Sequence, residues 1–218
     1  MNSETKWRII SIVELLISAA VIMLDLFIPT LVILVLIAVS LLIRHDNIST
    51  LGFKRPSSWL KMAGFSCLVV VLLQLFEIGI TMPILNHLTG TTIDYSEFAH
   101  LKGNIGQFFL FLTLSWTLAA FGEEIVYRGY LQKTLSSIFG HGSLGVILTI
   151  GISSLLFGLA HTEQGLTGVI VTTIDALVFC WLKRKYDDNL WATILAHGFY
   201  NTIGVLIFFF TGPIYGLW

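Results

Sequence analysis

The chain has 218 residues, 56% of them hydrophobic and only 11% charged, and its mean hydropathy is +0.86. These values exclude an ordinary soluble globular domain and fit a polytopic membrane protein, in which each helical span takes roughly 20 apolar residues. The net charge of −1, with Lys and Arg scattered between apolar blocks, leaves no basic run for nucleic acid; such cations orient spans instead.

Two apolar blocks, residues 9–24 and 31–43, are joined by a polar break containing Asp25 and Pro29, and this pattern predicts a tight helical hairpin. Lys6 and Arg8 precede the first block in the manner of a signal peptide. Glu14 within that block, and a second block directly after it, make it a retained first span. Arg44, Lys54, Arg55 and Lys61 crowd the next connection, and Pro56 to Trp59 opens a third span over residues 59–81. Residues 82–103 then read as the longest connection, external and partly interfacial.

The fourth span starts at Ile105, reaches the charged stretch at residues 121–128 and continues as helix to about residue 139. A fifth block covers 143–161. After a polar break at 162–165 come a sixth span over 166–182, closed by Lys183, Arg184 and Lys185, and a last span over 190–210 with a short tail. Placing every cationic connection in the cytoplasm gives about seven spans, six to eight by length, with the N-terminus inside. The predicted fold is therefore an all-α polytopic transmembrane helical bundle. It forms a single integral membrane domain over 1–218, with a motif core at about 105–210.

Most polar residues in this pattern have structural assignments. Cys67 and Cys180 lie in apolar runs without a CxxC spacing and read as small core residues. His45, His87, His100 and His141 fall in polar connections. Glu14 and Glu77 are assigned to structural pairing or to a water-lined face of their spans, and Asp175 is left as a candidate supporting group of a site.

Three segments resist that treatment. Glu123, Glu124 and Arg128 interrupt an apolar helix, where a charge at bilayer depth costs ~2.5–3.5 kcal/mol on insertion scales. His161 follows Phe157 by four residues, and Asn201 follows His197 by four, so each pair shares a helix face. Glu124 and Arg128 stand in the favourable acid-first i,i+4 order, which leaves Glu123 free to face a cavity. Each segment has a plain alternative: the wet end of a cytoplasmic helix, a packed interhelical histidine, or an asparagine bridging two helices. Together, on three different spans, they point to one site between the fourth, fifth and last spans.

The ordered set Glu123-Glu124-x-x-x-Arg128, Phe157-x-x-x-His161 and His197-x-x-x-Asn201 resembles the CPBP intramembrane proteases. That family includes CAAX-prenyl endopeptidases and bacterial bacteriocin-processing or self-immunity proteins. The resemblance covers about residues 121–201. It implies a membrane endopeptidase in which Glu123 and His161 activate water, His197 and Asn201 steady the oxyanion, and Glu124 and Arg128 support the site. The substrate would be a peptide or a membrane protein within the lipid bilayer, and the short chain suggests a bacterial cell membrane.

The family is often described as metalloproteases, and Glu123, His161 and His197 would be the ligands of a zinc ion. No H-E-x-x-H helix is present, and the preferred reading is a glutamate mechanism requiring no cofactor. The alternative from another class is a non-catalytic immunity or scaffold protein on the same fold.

A simple in-and-out count sets His161 near the outer end of its span and His197 nearer the cytoplasm. A shared site therefore predicts that residues 162–167 dip into protein-lined space. Water and an extended peptide must also reach it, through a lateral or cytoplasmic opening.

Overall fold

Each apolar block of the sequence becomes a helix, because a chain shielded from water must satisfy its backbone N–H and C=O groups internally. The computed structural model of the chain describes residues 3–93 and 95–213, so the tail beyond 213 lies outside the described residues. Among those residues, seven long helices occur in order: α1 (Ser3–Met23), α2 (Pro29–Arg44), α3 (Trp59–Thr89), α4 (Ile105–Phe139), α5 (Ser143–Leu159), α6 (Gly165–Lys185) and α7 (Leu190–Thr211).

 The helices fall on the expected segments. Four of them are long and apolar enough to cross a membrane, namely α3, α4, α7 and the segment Thr162–Lys185 that contains α6; α2 and α5 are shorter apolar helices. The chain is a membrane protein of helices.

Local sequence sets the helix ends. Pro29 begins α2, where its missing N–H costs nothing. Asn47, Ser58, Asn104 and Asn189 cap helical turns by accepting a backbone N–H. One expectation is corrected here: α3 does not stop near residue 81 but runs on to Thr89, so the connection starts at Gly90 in the left-handed conformation. Pro83 is accommodated because the turn before it, Glu77–Thr81, is π-helical, and a widened turn relieves the clash a proline makes with the preceding carbonyls.

Helix α4 is also irregular where it matters. Two π-helical stretches, Ser115–Glu123 and Ile125–Leu131, flank Glu124. Thr117 contributes to the loosening, since its hydroxyl bonds back to the Thr113 carbonyl at 2.7 Å. The second stretch is buried throughout. Val126, Tyr127, Tyr130 and Leu131 pack there with Ile33 and Ile37 of α2, Phe157 of α5 and Ile194 of α7.

The cationic connections gather at one end of the bundle. Arg8 donates to the Ile138 carbonyl at 3.0 Å, and Arg44 bonds Glu14 at 2.6 Å, the structural pairing assigned to Glu14. Lys133 pairs with Asp46, while Lys54 reaches the Asp187 carbonyl. At the opposite end Thr89 meets Thr167 at 3.2 Å, and the Gly103 N–H bonds the Phe209 carbonyl at 2.9 Å. His45, His87, His100 and His141 are exposed. Cys180 is buried and accepts from Gln132, and Cys67 is half-buried.

Candidate active site

Glu124 is the innermost charged group of the site, fully buried on α4. Its Oε1 accepts from Arg128 Nη1 at 2.9 Å, one turn along the same helix, and from His197 Nδ1 at 2.9 Å across the contact with α7. The i,i+4 spacing supplies the first bond; the packing of α7 on the first π-helical stretch supplies the second. A buried carboxylate with two such partners is held in one orientation.

Arg128 is 1% exposed, so it needs a substitute for water. Its guanidinium lies 4.2 Å from the Phe157 ring centre and 5.5 Å from that of Phe179, and these π faces attract the cation. Its backbone carbonyl accepts from Lys183, which also donates to Gln132 Oε1 at 3.0 Å. Gln132 in turn donates to Ser153 Oγ at 3.2 Å, so polar bonds tie α4 to α5 and α6.

Phe157 is the common wall of the site. The His161 ring packs on it with 4.8 Å between centroids, and the His197 ring meets it edge-on at 5.9 Å. His161 and His197 therefore share Phe157 as a neighbour. Of the turn after α5, Thr162 and Glu163 are exposed, whereas Gln164 lines the cavity and Thr167 is buried, so only its second half enters protein-lined space. Helix α5 stops at Leu159, and His161 turns back so that Nδ1 donates to the Phe157 carbonyl at 2.8 Å.

Those two bonds fix how the rings can act. With its Nδ1–H on the Phe157 carbonyl, neutral His161 has a free lone pair at Nε2. His197, anchored to Glu124 through Nδ1, turns its other nitrogen away from the carboxylate. Both histidines and Asn201 line one cavity of about 320 Å3 between α3, α4, α6 and α7. Glu123 is half-buried and within electrostatic reach of His197 and His161, but it is not among the residues lining the cavity and has no hydrogen bond among the described residues.

A family model described as Rce1-like, type II CAAX prenyl endopeptidase Rce1-like, matches residues 105–203. Over that segment the chain is similar to the CAAX-protease family. The matched part runs from the start of α4 into the second half of α7. It contains Glu123, Glu124, Arg128, His161, His197 and Asn201, the residues that carried the resemblance. No curated protein and no solved structure gave a match.

Among the described residues, no group of three or more His, Cys, Asp or Glu side chains is arranged to hold a metal ion. Glu123, His161 and His197 as placed do not form such a group, and no step is derived through a metal.

The cavity also has a second set of polar residues that the motifs do not mark. Tyr200, one turn beyond His197, donates its hydroxyl to Glu77 Oε2 at 2.7 Å, while Glu77 Oε1 and the nearby Asp175 Oδ1 have no hydrogen-bond partner. Gln74 Nε2 donates to the Tyr200 carbonyl at 3.0 Å. Above them Tyr95 is half-buried, and the lost hydration pushes its phenol up to about 12, with the carboxyl groups of Glu77 and Asp175 acting in the same direction. The signal available in the sequence was the pair of lone carboxylates in two apolar spans; their convergence required the tertiary packing.

Proposed function

We propose that the chain is an intramembrane endopeptidase that hydrolyses a peptide bond of a peptide or membrane-protein substrate. The observation that carries this reading is the Glu124 carboxylate, wholly buried and bonded at 2.9 Å to both Arg128 and His197, beside a cavity that His161, His197 and Asn201 line. A buried network of that cost has a use if it holds an imidazole toward reacting atoms.

In this mechanism a water molecule between Glu123 and His161 Nε2 attacks the carbonyl carbon. Its proton passes to the carboxylate, and the C–O bond forms. The oxyanion accepts from Asn201 Nδ2 and, when the ring is fully protonated, from His197 Nε2–H, whose charge Glu124 balances. The proton then moves to the leaving nitrogen as the C–N bond breaks. Glu124 and Arg128 act through His197 and are positioning residues. General-base assistance is worth about 10²–10⁴ in rate, and one oxyanion donor about 10²–10³. The polar groups supply both without a cofactor.

The test uses purified protein in lipid nanodiscs with a library of internally quenched peptides. Glu123→Gln and His161→Ala should each lower kcat by about 10² or more. Cleavage by both variants at the parental rate would overturn these residue roles, and no cleavage of any peptide by the wild-type protein would overturn the protease reading and favour a non-catalytic binder on the same helices.

A further inference from the structure

The cavity has two chemically distinct ends. One carries the histidines and Asn201; the other carries Gln74, Glu77, Asp175 and Tyr200, of which Glu77 is 1% and Asp175 4% exposed. Burying two carboxyl groups together is unfavourable unless a proton or a cation stands between or beside them. Glu77 Oε1 and Asp175 Oδ1 are each buried without a hydrogen-bond partner. Among the described residues no cation forms an ion pair with either carboxyl group, and the nearest charge acting on Asp175, Arg128, already bonds Glu124.

A second observation concerns Gln74, which is nine-tenths buried. Because Nε2 is committed to the Tyr200 carbonyl, the amide orientation is fixed and Oε1 is its free end. That oxygen has no hydrogen-bond partner, and the residue lines the same cavity. The oxygens that meet here are acceptors, and the Tyr200 hydroxyl, the nearby donor, is already spent on Glu77. Such a cluster is complementary to a group with several N–H donors and a positive charge. An ammonium has three donors and no acceptor; a guanidinium has five.

The geometry points to a cation-recognition subsite: Gln74, Glu77 and Asp175 receive a lysine, arginine or free amino group of the substrate peptide. This rests on the endopeptidase reading for its substrate class. Tyr200 follows His197 by three residues on α7, about 4.5 Å along the axis. Phe179 touches both rings, at 5.5 Å from His197 and 6.4 Å from Tyr200. An extended peptide advances ~3.3 Å per residue, so the recognised group lies roughly one to three residues from the bond cut. Elsewhere the wall is apolar, with Ile93, Phe98, Phe111 and Phe208, and flanking apolar residues of the substrate fit there.

The test compares quenched peptides that differ at one position, carrying lysine, norleucine or glutamate, with that position moved across three residues on either side of the bond. Cleavage is read as kcat/KM on the wild-type protein. Binding is read separately by fluorescence anisotropy on the Glu123→Gln protein in nanodiscs. At one position lysine should exceed norleucine by about 10-fold or more in both readings, the worth of a charge-assisted hydrogen bond, and glutamate should be worst. The double substitution Glu77→Gln with Asp175→Asn should erase the lysine-to-norleucine ratio.

Equal cleavage and binding of lysine and norleucine peptides at every position by wild-type protein would overturn the subsite, whether or not the double variant folds. Tighter binding of the lysine peptide with no cleavage of any peptide would keep the subsite and sink the protease reading. Cleavage without preference would do the reverse.

Discussion

Glu124 and Glu123 are neighbours in sequence with opposite surroundings: the first bonds Arg128 and His197, each at 2.9 Å, and the second has no hydrogen-bond partner among the described residues. Their substitutions should therefore separate stability from chemistry. Glu124→Ala leaves Arg128 and His197 buried without their acceptor, and removing one member of a buried pair costs about 3–5 kcal/mol. Thermal unfolding in detergent should show a large fall for Glu124→Ala and little change for Glu123→Gln, although both lose activity. The Glu124 to Arg128 bond was legible in the sequence, because i,i+4 neighbours meet on any helix. The bond to His197 was not, since it crosses from α4 to α7 and depends on how those helices pack. The polar groups also make a prediction about metal: purified protein should contain no stoichiometric zinc, and cleavage should survive chelation. One zinc per chain with chelator-sensitive activity would refute the glutamate mechanism.

At the scale of helices, the hydrophobic blocks announced where the rods lie but not how they are wound. Periodicity reads an α-helical repeat, and the π-helical turns at Glu77–Thr81 and around Glu124 leave no mark in composition. Nor does a block of apolar residues reveal a close helix crossing. Gly158 makes one: a Cβ there would run into the Thr173 hydroxyl and the Val169 carbonyl of α6. Gly158→Ala should force α5 away from α6, carrying Phe157 and His161 with it, and overpacking of this kind costs about 1–3 kcal/mol. Gly151 is the control on the same helix, because a Cβ there meets nothing within 4 Å. Gly151→Ala should stay within about 0.5 kcal/mol of wild type or gain slightly from helix propensity. Unfolding temperature and kcat measured on both variants check the argument, which fails if the two behave alike.

For the molecule as a whole, the two ends of the bundle differ in charge and in access. Arg8, Arg44, Lys54 and Lys133 all make their contacts at the end where α4 stops and α7 starts. The cavity occupies the other half. Its lining runs along α7 from His197 to Phe208 and reaches Ile93, Tyr95 and Phe98 in the connection after α3. A sequence read for charge alone placed the opening laterally or in the cytoplasm, because it showed where the cations are and not where the helices leave space. With the basic end in the cytoplasm, the cavity faces outward. Single cysteines in a Cys67→Ser, Cys180→Ser background can decide this. His141→Cys, exposed at the basic end, should resist an impermeant maleimide on intact cells, and Thr92→Cys, exposed at the cavity end, should react. Right-side-out vesicles should then cleave peptide supplied from outside. The reverse labelling pattern would turn the bundle over and deliver the substrate from the cytoplasm, with the same residues meeting it.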